Sequence, residues 1–123
     1  MRSPVRVGYT HAGGRVRDGW DLERIDDGVA VRGEIDLATA GDLAEALYDA
    51  AATTDTGFLI DLSQVTFIDS TGIDALTRVL NVHADKRFVI VPSNQVFTLL
   101  HLSGLTNGAW PNVDLRSPAD DRP

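Results

Sequence analysis

Residues 65–76 read VTFIDSTGIDAL. The apolar run from Val65 to Ile68 has the composition of a strand ending. An acid, two hydroxyls and a glycine follow, and then Ile73, Leu76, Leu80 and His83 recur at the spacing of one helical face. A strand handing over to a helix in so few residues is the repeating unit of α/β proteins.

The same alternation extends in both directions. Upstream, FLIDL (58–62) is a short apolar run of the kind found in a strand buried on both faces. Before it, from Thr39, the residues Ala40, Leu43, Leu47 and Ala50 form one helical stripe, with Asp42, Glu45 and Asp49 pointing elsewhere. TTDTG (53–57) breaks that helix. WDLERIDDGVAVRGEIDL (20–37) reads as a hairpin. Leu22 and Ile25 mark its first strand, and Val29, Val31 and Ile35 its second. Asp27-Gly28 is the expected tight turn, with Gly28 supplying a positive φ.

Downstream, RFVIVP (87–92) is a second buried strand ended by Pro92, and SNQVFTLLHLSGL (93–105) is a third helix. Ser93 is its expected N-cap, and Gly104 its expected C′ residue with Leu105 packing back over the last turn. Phe67, Phe97 and Leu102 are expected in the core. The elements run β-β-α-β-α-β-α, an α/β class with a mixed, mostly parallel sheet and helices packed on it. The domain is expected over 20–106. Residues 1–19 form a partly ordered extension, and 107–123 a tail in which Trp110 and Val113 mark an edge segment before a frayed end.

Composition narrows the function. The 123 residues suit one domain. With 18 acidic and 11 basic residues the formal net charge is −7, and no concentrated basic patch of a nucleic-acid binder is present. Arg2, Arg6, Arg15 and Arg17 cluster near the N-terminus and read as a solvated segment. There is no cysteine, which removes disulfides, zinc thiolates and thiol catalysis. His11, His83 and His101 lie on unlike elements without metal-ligand spacing. No apolar run reaches the roughly 20 residues of a membrane helix, and MRSPVRVGYTHAGG lacks the apolar core of a signal peptide. A cytoplasmic protein that does not insert into membranes is expected. AGG (12–14) lacks the lysine and spacing of a phosphate loop, so no nucleotide or other cofactor is expected.

In α/β sheets, sites gather beyond the carboxyl ends of the strands. GEIDLAT and TFIDST are the two polar segments there. Ser70 admits two compatible readings. It can cap its helix, with Thr71 and Asp74 imitating a capping box. It can also be a phosphorylation acceptor, with the free N–H groups and positive dipole end of the helix beneath the phosphate. Asp36 reads equally as a turn acid or a functional one, and Asp61 and Asp74 as solvated.

GEIDLATAGDL (33–43), VTFIDSTGIDAL (65–76) and LLHLSGL (99–105) together resemble the STAS domain family, most closely its bacterial anti-sigma factor antagonists. The resemblance spans about residues 20–106. It implies that a partner, both anti-sigma factor and serine kinase, phosphorylates the serine after the aspartate, here Ser70, with Thr71 the second choice. The unphosphorylated antagonist would bind that kinase and release the sigma factor, and a serine phosphatase would reset the cycle. The resemblance places Asp36 and Asp69 on the surface around the acceptor, and Gly72 at the tight start of the helix. The expected partner-binding set is Glu34, Asp36, Asp69, Ser70, Thr71, Gly72 and Asp74. Two features depart from the family pattern: Asp74 stands where a small residue is usual, and the tail after Gly104 is short.

The chain is then a phosphorylation substrate with no catalytic activity of its own. The alternative in the same fold is a non-switching STAS subunit, the partner of a lipid-transport ATPase or a stress-signalling scaffold. A phospho-aspartate receiver would need an acidic pair at its first strand end, and Asp26-Asp27 lie in a hairpin turn. A serine hydrolase would need a glycine elbow and a histidine base.

Overall fold

The computed structural model describes residues 5–7, 19–53, 57–106, 108 and 110–118. The expected series of elements is present: β2 (Trp20–Ile25), β3 (Gly28–Ile35), α1 (Leu37–Ala52), β4 (Phe58–Ile68), α2 (Ser70–Val82), β5 (Phe88–Pro92) and α3 (Asn94–Leu102). A short strand is added at each edge, β1 (Val5–Val7) before it and β6 (Val113–Leu115) after it. The sheet runs β1-β2-β3-β4-β5-β6 in chain order. The first two pairings are antiparallel and the remaining three parallel. AGG and the arginines Arg2, Arg15 and Arg17 lie outside the described residues.

The hairpin differs from expectation in its turn. Asp26 and Asp27 form it, Ile25 pairs with Gly28, and no positive φ is used there. Gly28 is needed for a different reason. A Cβ on it would stand 1.8 Å from the Leu59 carbonyl oxygen of β4. The constraint is therefore the close approach of two parallel strands, with the Leu59 N–H donating to the Asp27 carbonyl at 2.8 Å.

FLIDL and the residues after it form one long strand, and that strand is buried mainly on one face. Phe58, Ile60 and Leu62 are buried, whereas Leu59 and Asp61 are half-buried. Beyond Leu62 the period of two fails, and the buried residues are Val65 and Ile68. The cause is register. Between Ala30 and Arg32, and again between Gly33 and Glu34, β4 advances one residue more than β3. Each extra residue turns the strand over. Leu62, Val65 and Ile68 thereby share one face at spacings of three. Phe67, expected in the core, is left 43% exposed.

Helices α1 and α2 pack side by side, with Leu43, Leu47, Ala50, Ile73, Leu76 and Leu80 buried. They join the sheet residues Leu22, Val29, Val31 and Ile60 in one core. Phe58 and Phe88 meet edge to face across β4 and β5, with ring centroids 5.8 Å apart. Helix α3 closes the core through Val96 and Leu100, capped by Ser93 as expected. Gly104 takes φ +76°, and the Leu105 N–H returns to the Leu100 carbonyl at 2.9 Å. Leu102 faces outward at 76% exposure because Val96 and Leu100 already set the buried stripe. Phe97 is half-buried. Trp110 is buried, and the Asn112 amide donates to the Lys86 carbonyl at 3.1 Å, which pins the approach to β6.

Gly28→Ala should lower the unfolding free energy by about 1–3 kcal/mol, because its clash is with backbone and no side chain can yield. Urea unfolding followed by circular dichroism measures this. An unchanged midpoint would show that the β3–β4 contact is looser than described.

Candidate functional site

The site forms where β3 and β4 end together. Ile35 pairs with Ile68 in parallel register, so the residues that follow, Asp36 and Asp69, leave the sheet side by side. The Asp69 N–H donates to the Ile35 carbonyl at 3.2 Å, which ties the two strand ends together. Each aspartate is extended and caps the helix that follows it.

Asp36 caps α1 through a reciprocal box. Its carboxylate accepts from the Ala38 N–H at 3.0 Å, and the Thr39 hydroxyl accepts from the Asp36 N–H at 2.9 Å. Thr39 is buried, so the box is fixed from beneath. Asp69 caps α2 by accepting from the N–H groups of Thr71 at 3.0 Å and Gly72 at 3.3 Å. The Thr71 hydroxyl also donates to the same carboxylate oxygen, Oδ1.

Ser70 is consequently the first residue of α2 and does not cap it. The strand ends at its last apolar letter, Ile68, and the half-in position falls on the next residue, Asp69. The N–H groups of Thr71 and Gly72, which a phosphate on Ser70 was expected to meet, are already held by Asp69. Ser70 is exposed, and its hydroxyl makes no hydrogen bond with any described residue. Thr71 is half-buried and committed to Asp69.

Gly72 has no room for a side chain. A Cβ there would lie 2.6 Å from Ile68 Cγ1 and 2.8 Å from Ile35 Cγ2. The helix start is thus seated directly on both strand ends, which fixes the height at which Ser70 emerges.

Between the first halves of α1 and α2 runs an open groove of about 670 Å³. Leu37, Ala40 and Gly41 line it from α1, and Ser70, Thr71, Asp74 and Arg78 from α2. Asp74 is exposed and pairs with Arg78 one turn on, at 3.6 Å. Glu34 lies apart from this groove. It precedes Ile35 by one residue, so it points to the other face of the sheet, beside Gly19 and opposite Phe67. Leu37, Gly41 and Arg78 were not singled out in the sequence. The signal was the Asp36–Thr39 box, which starts α1 at Leu37 and leaves that leucine off the buried stripe. Among the described residues no group of three or more His, Asp or Glu is placed to hold a metal ion.

The Thr71 hydroxyl, with the N–H groups of Gly72 and Thr71, holds the Asp69 carboxyl below its ordinary value of 3.8. Partial burial opposes the shift without reversing it. The folded protein therefore keeps Asp69 ionised to lower pH than the unfolded chain does. Its stabilisation is complete above about pH 4 and is lost as pH falls through the depressed value. Asp69→Asn should flatten this part of the acid-unfolding profile. Asp69→Ala should lower stability at neutral pH by about 1 kcal/mol through loss of the cap. Thr71→Val should move the Asp69 titration, followed by carboxyl-carbon NMR, back up toward the ordinary value. An unmoved titration would show that the hydroxyl does not set it.

Residues 19–115 match the family model described as Mlab, STAS domain. Three solved structures are similar over most of the chain. The crystal structure of an anti-sigma factor antagonist from Mycobacterium paratuberculosis has 25% identity and a TM-score of 0.63, covering 97% of this chain and 90% of that one. A putative anti-sigma factor antagonist from Thermotoga maritima has 19% identity and a TM-score of 0.57, covering 80% and 87%. The anti-sigma factor antagonist SpoIIAA in its unphosphorylated form has 21% identity and a TM-score of 0.52, covering 82% and 90%. No curated protein sequence matches significantly. With four fifths of its length inside one family model, and with twin-capped strand ends matching the motifs that suggested it, this chain belongs to the STAS domain family.

Proposed function

We propose that this chain is an anti-sigma factor antagonist that binds a serine kinase anti-sigma factor while Ser70 is unmodified, so that the sigma factor is released. Phosphorylation of Ser70 ends the interaction, and a serine phosphatase restores it. The reading is supported by the general role named for the solved structures similar to this chain. The single observation that carries it here is the Ser70 hydroxyl, exposed at a rigid helix start and free of hydrogen bonds to the described residues. Thr71 is the weaker acceptor because its hydroxyl is bonded to Asp69.

The chemistry asks little of this chain. Ser70 Oγ attacks the γ-phosphorus of the kinase's ATP, the bond to the ADP oxygen breaks, and a base on the kinase takes the hydroxyl proton. This chain supplies a fixed nucleophile and remains a substrate, with no cofactor of its own. Among the described residues no helix is long and apolar enough to cross a membrane, and the proposed role belongs in the cytoplasm with no contact to nucleic acid.

Phosphorylation adds about −1.5 to −2 charges beside Asp69 and one turn from Asp74. Asp69 holds the nearby N–H donors, so the phosphate projects from the helix. The γ-phosphate must reach Ser70 for transfer, so phosphoserine would then face the phosphates of the bound nucleotide. Like charges brought face to face cost several kcal/mol, which amounts to weakening on the order of 100-fold.

Intact-mass and fragment spectrometry after incubation with ATP and purified serine kinase anti-sigma factors tests this directly. One phosphate on Ser70 is expected, absent in Ser70→Ala, and Ser70→Glu should bind the kinase about 10- to 100-fold more weakly. No phosphate from any such kinase, with tight binding to a transport ATPase, would make the chain a non-switching STAS subunit instead.

A further inference from the structure

The groove beside Ser70 carries more than an acceptor. Among the described residues four large hydrophobic side chains are exposed, and Leu37 is the most exposed of them at 77%. One exposed leucine is ordinary on a protein surface. This one stands at the rim of the groove, at the first position of α1, directly after the Asp36 cap. Its backbone is held by that cap, so the side chain is presented at a fixed place.

One turn further along the same face is Gly41. Glycine inside a helix is unfavourable, and nothing in this chain requires it at this position. A Cβ there would meet no atom within 4 Å, and the φ is not positive. The other glycines beneath the site are forced by neighbours, as Gly72 is. Gly41 is exposed, lines the groove, and leaves a bare stretch of helix backbone between Leu37 and Glu45.

Charge supplies the third observation. Of the residues lining the groove, Asp74 and Arg78 are charged and pair with each other. The caps Asp36 and Asp69 precede its two walls, and Glu45 follows Gly41 by one turn of α1, so the surround is acidic. An apolar knob, a stripped backbone and an acidic surround converge on the same few residues.

We infer that this groove is the seat of a basic protein surface with an apolar recess for Leu37, whose backbone or small side chains rest on Gly41. The inference builds on the proposed function, in which that surface belongs to the serine kinase anti-sigma factor and brings its nucleotide to Ser70. Leu37 anchors the complex, Gly41 permits the close approach, and the carboxylates set orientation and the rate of encounter.

The test is isothermal titration calorimetry of the full-length protein against each purified serine kinase anti-sigma factor with ADP. Leu37→Ala should weaken binding about 10- to 30-fold. Leu102→Ala, a control of equal exposure on α3, should leave it unchanged. Gly41→Ala is the discriminating variant. It should raise the melting temperature of the free protein by about 2–5 °C through helix propensity, yet weaken binding at least tenfold. Raising the salt concentration from about 0.05 to 0.5 M should weaken the wild-type complex about tenfold. If the wild type binds and Leu37→Ala and Gly41→Ala bind equally well, the groove is not the seat and only this inference falls. If salt has no effect, the partner surface is not basic. If no kinase binds the wild type, the proposed function falls and this inference with it.

Discussion

Everything at the site depends on the hydrogen bond from the Asp69 N–H to the Ile35 carbonyl. It joins two strand ends at the point where both strands stop being strands. With that bond in place, two aspartates emerge as neighbours, two helices start in parallel, and their first turns form the two walls of one groove. Gly72 reinforces the arrangement from within, because only a residue without a Cβ lets α2 settle onto Ile35 and Ile68 together. A larger residue would lift the helix and Ser70 with it. The position of Ser70 is thus set by contacts that its own side chain does not make.

The two extra residues in β4 make this possible. Beside β3, an uninterrupted β4 of the same length would overshoot, and strict alternation from Leu62 would turn Val65 outward and Gln64 and Thr66 inward. By inserting one residue at each of two places, β4 keeps Leu62, Val65 and Ile68 inward and still ends level with Ile35. The two insertions together restore the original parity, so Phe67, the residue before an inward Ile68, faces out as alternation from Leu62 also places it.

Much of this was legible from the letters. Alternation of strand and helix gave the element order, and Ser93 and Gly104 behaved as end signals for α3 because capping is a local matter of one turn. What was not legible depended on a neighbouring chain segment. Gly28 was read as a turn glycine because turns are local, whereas its reason is the Leu59 carbonyl on another strand. Ser70 reads as a cap because serine caps well, but aspartate caps equally well, and Asp69, one residue earlier, holds the N–H groups of Thr71 and Gly72. Phe67 reads as core by its type, although alternation from Leu62 to Ile68 places it outside. The inward turn of Val65 rests on a register irregularity between strands, which cannot be seen in one of them. Leu37 and Gly41 gave only weak local signals, since an exposed leucine and a helical glycine each look like noise until both line the same groove.

The proposed switch, in which an acidic surface is silenced by a further negative charge, presents an apparent contradiction, because the basic partner we infer should welcome phosphate. The geometry resolves it by distance from the groove floor. Long-range attraction depends on the whole surround, where one added phosphate changes little. In the proposed complex, contact at Ser70, beside Leu37 and Gly41, is close and dry, and a dianion there would have to shed its water. Two of the first-turn N–H groups that could have replaced that water, those of Thr71 and Gly72, are held by Asp69, so the helix end compensates little of the loss. Asp69 therefore has two consequences: it builds the helix start that presents Ser70, and it would deny a phosphate on Ser70 the N–H groups of Thr71 and Gly72. A cap on Ser70 itself would have achieved neither, since a capping hydroxyl is turned inward and its phosphate would be drawn onto the helix end. The displacement of the cap by one residue is what leaves the Ser70 hydroxyl exposed at a helix terminus, as the proposed switch requires.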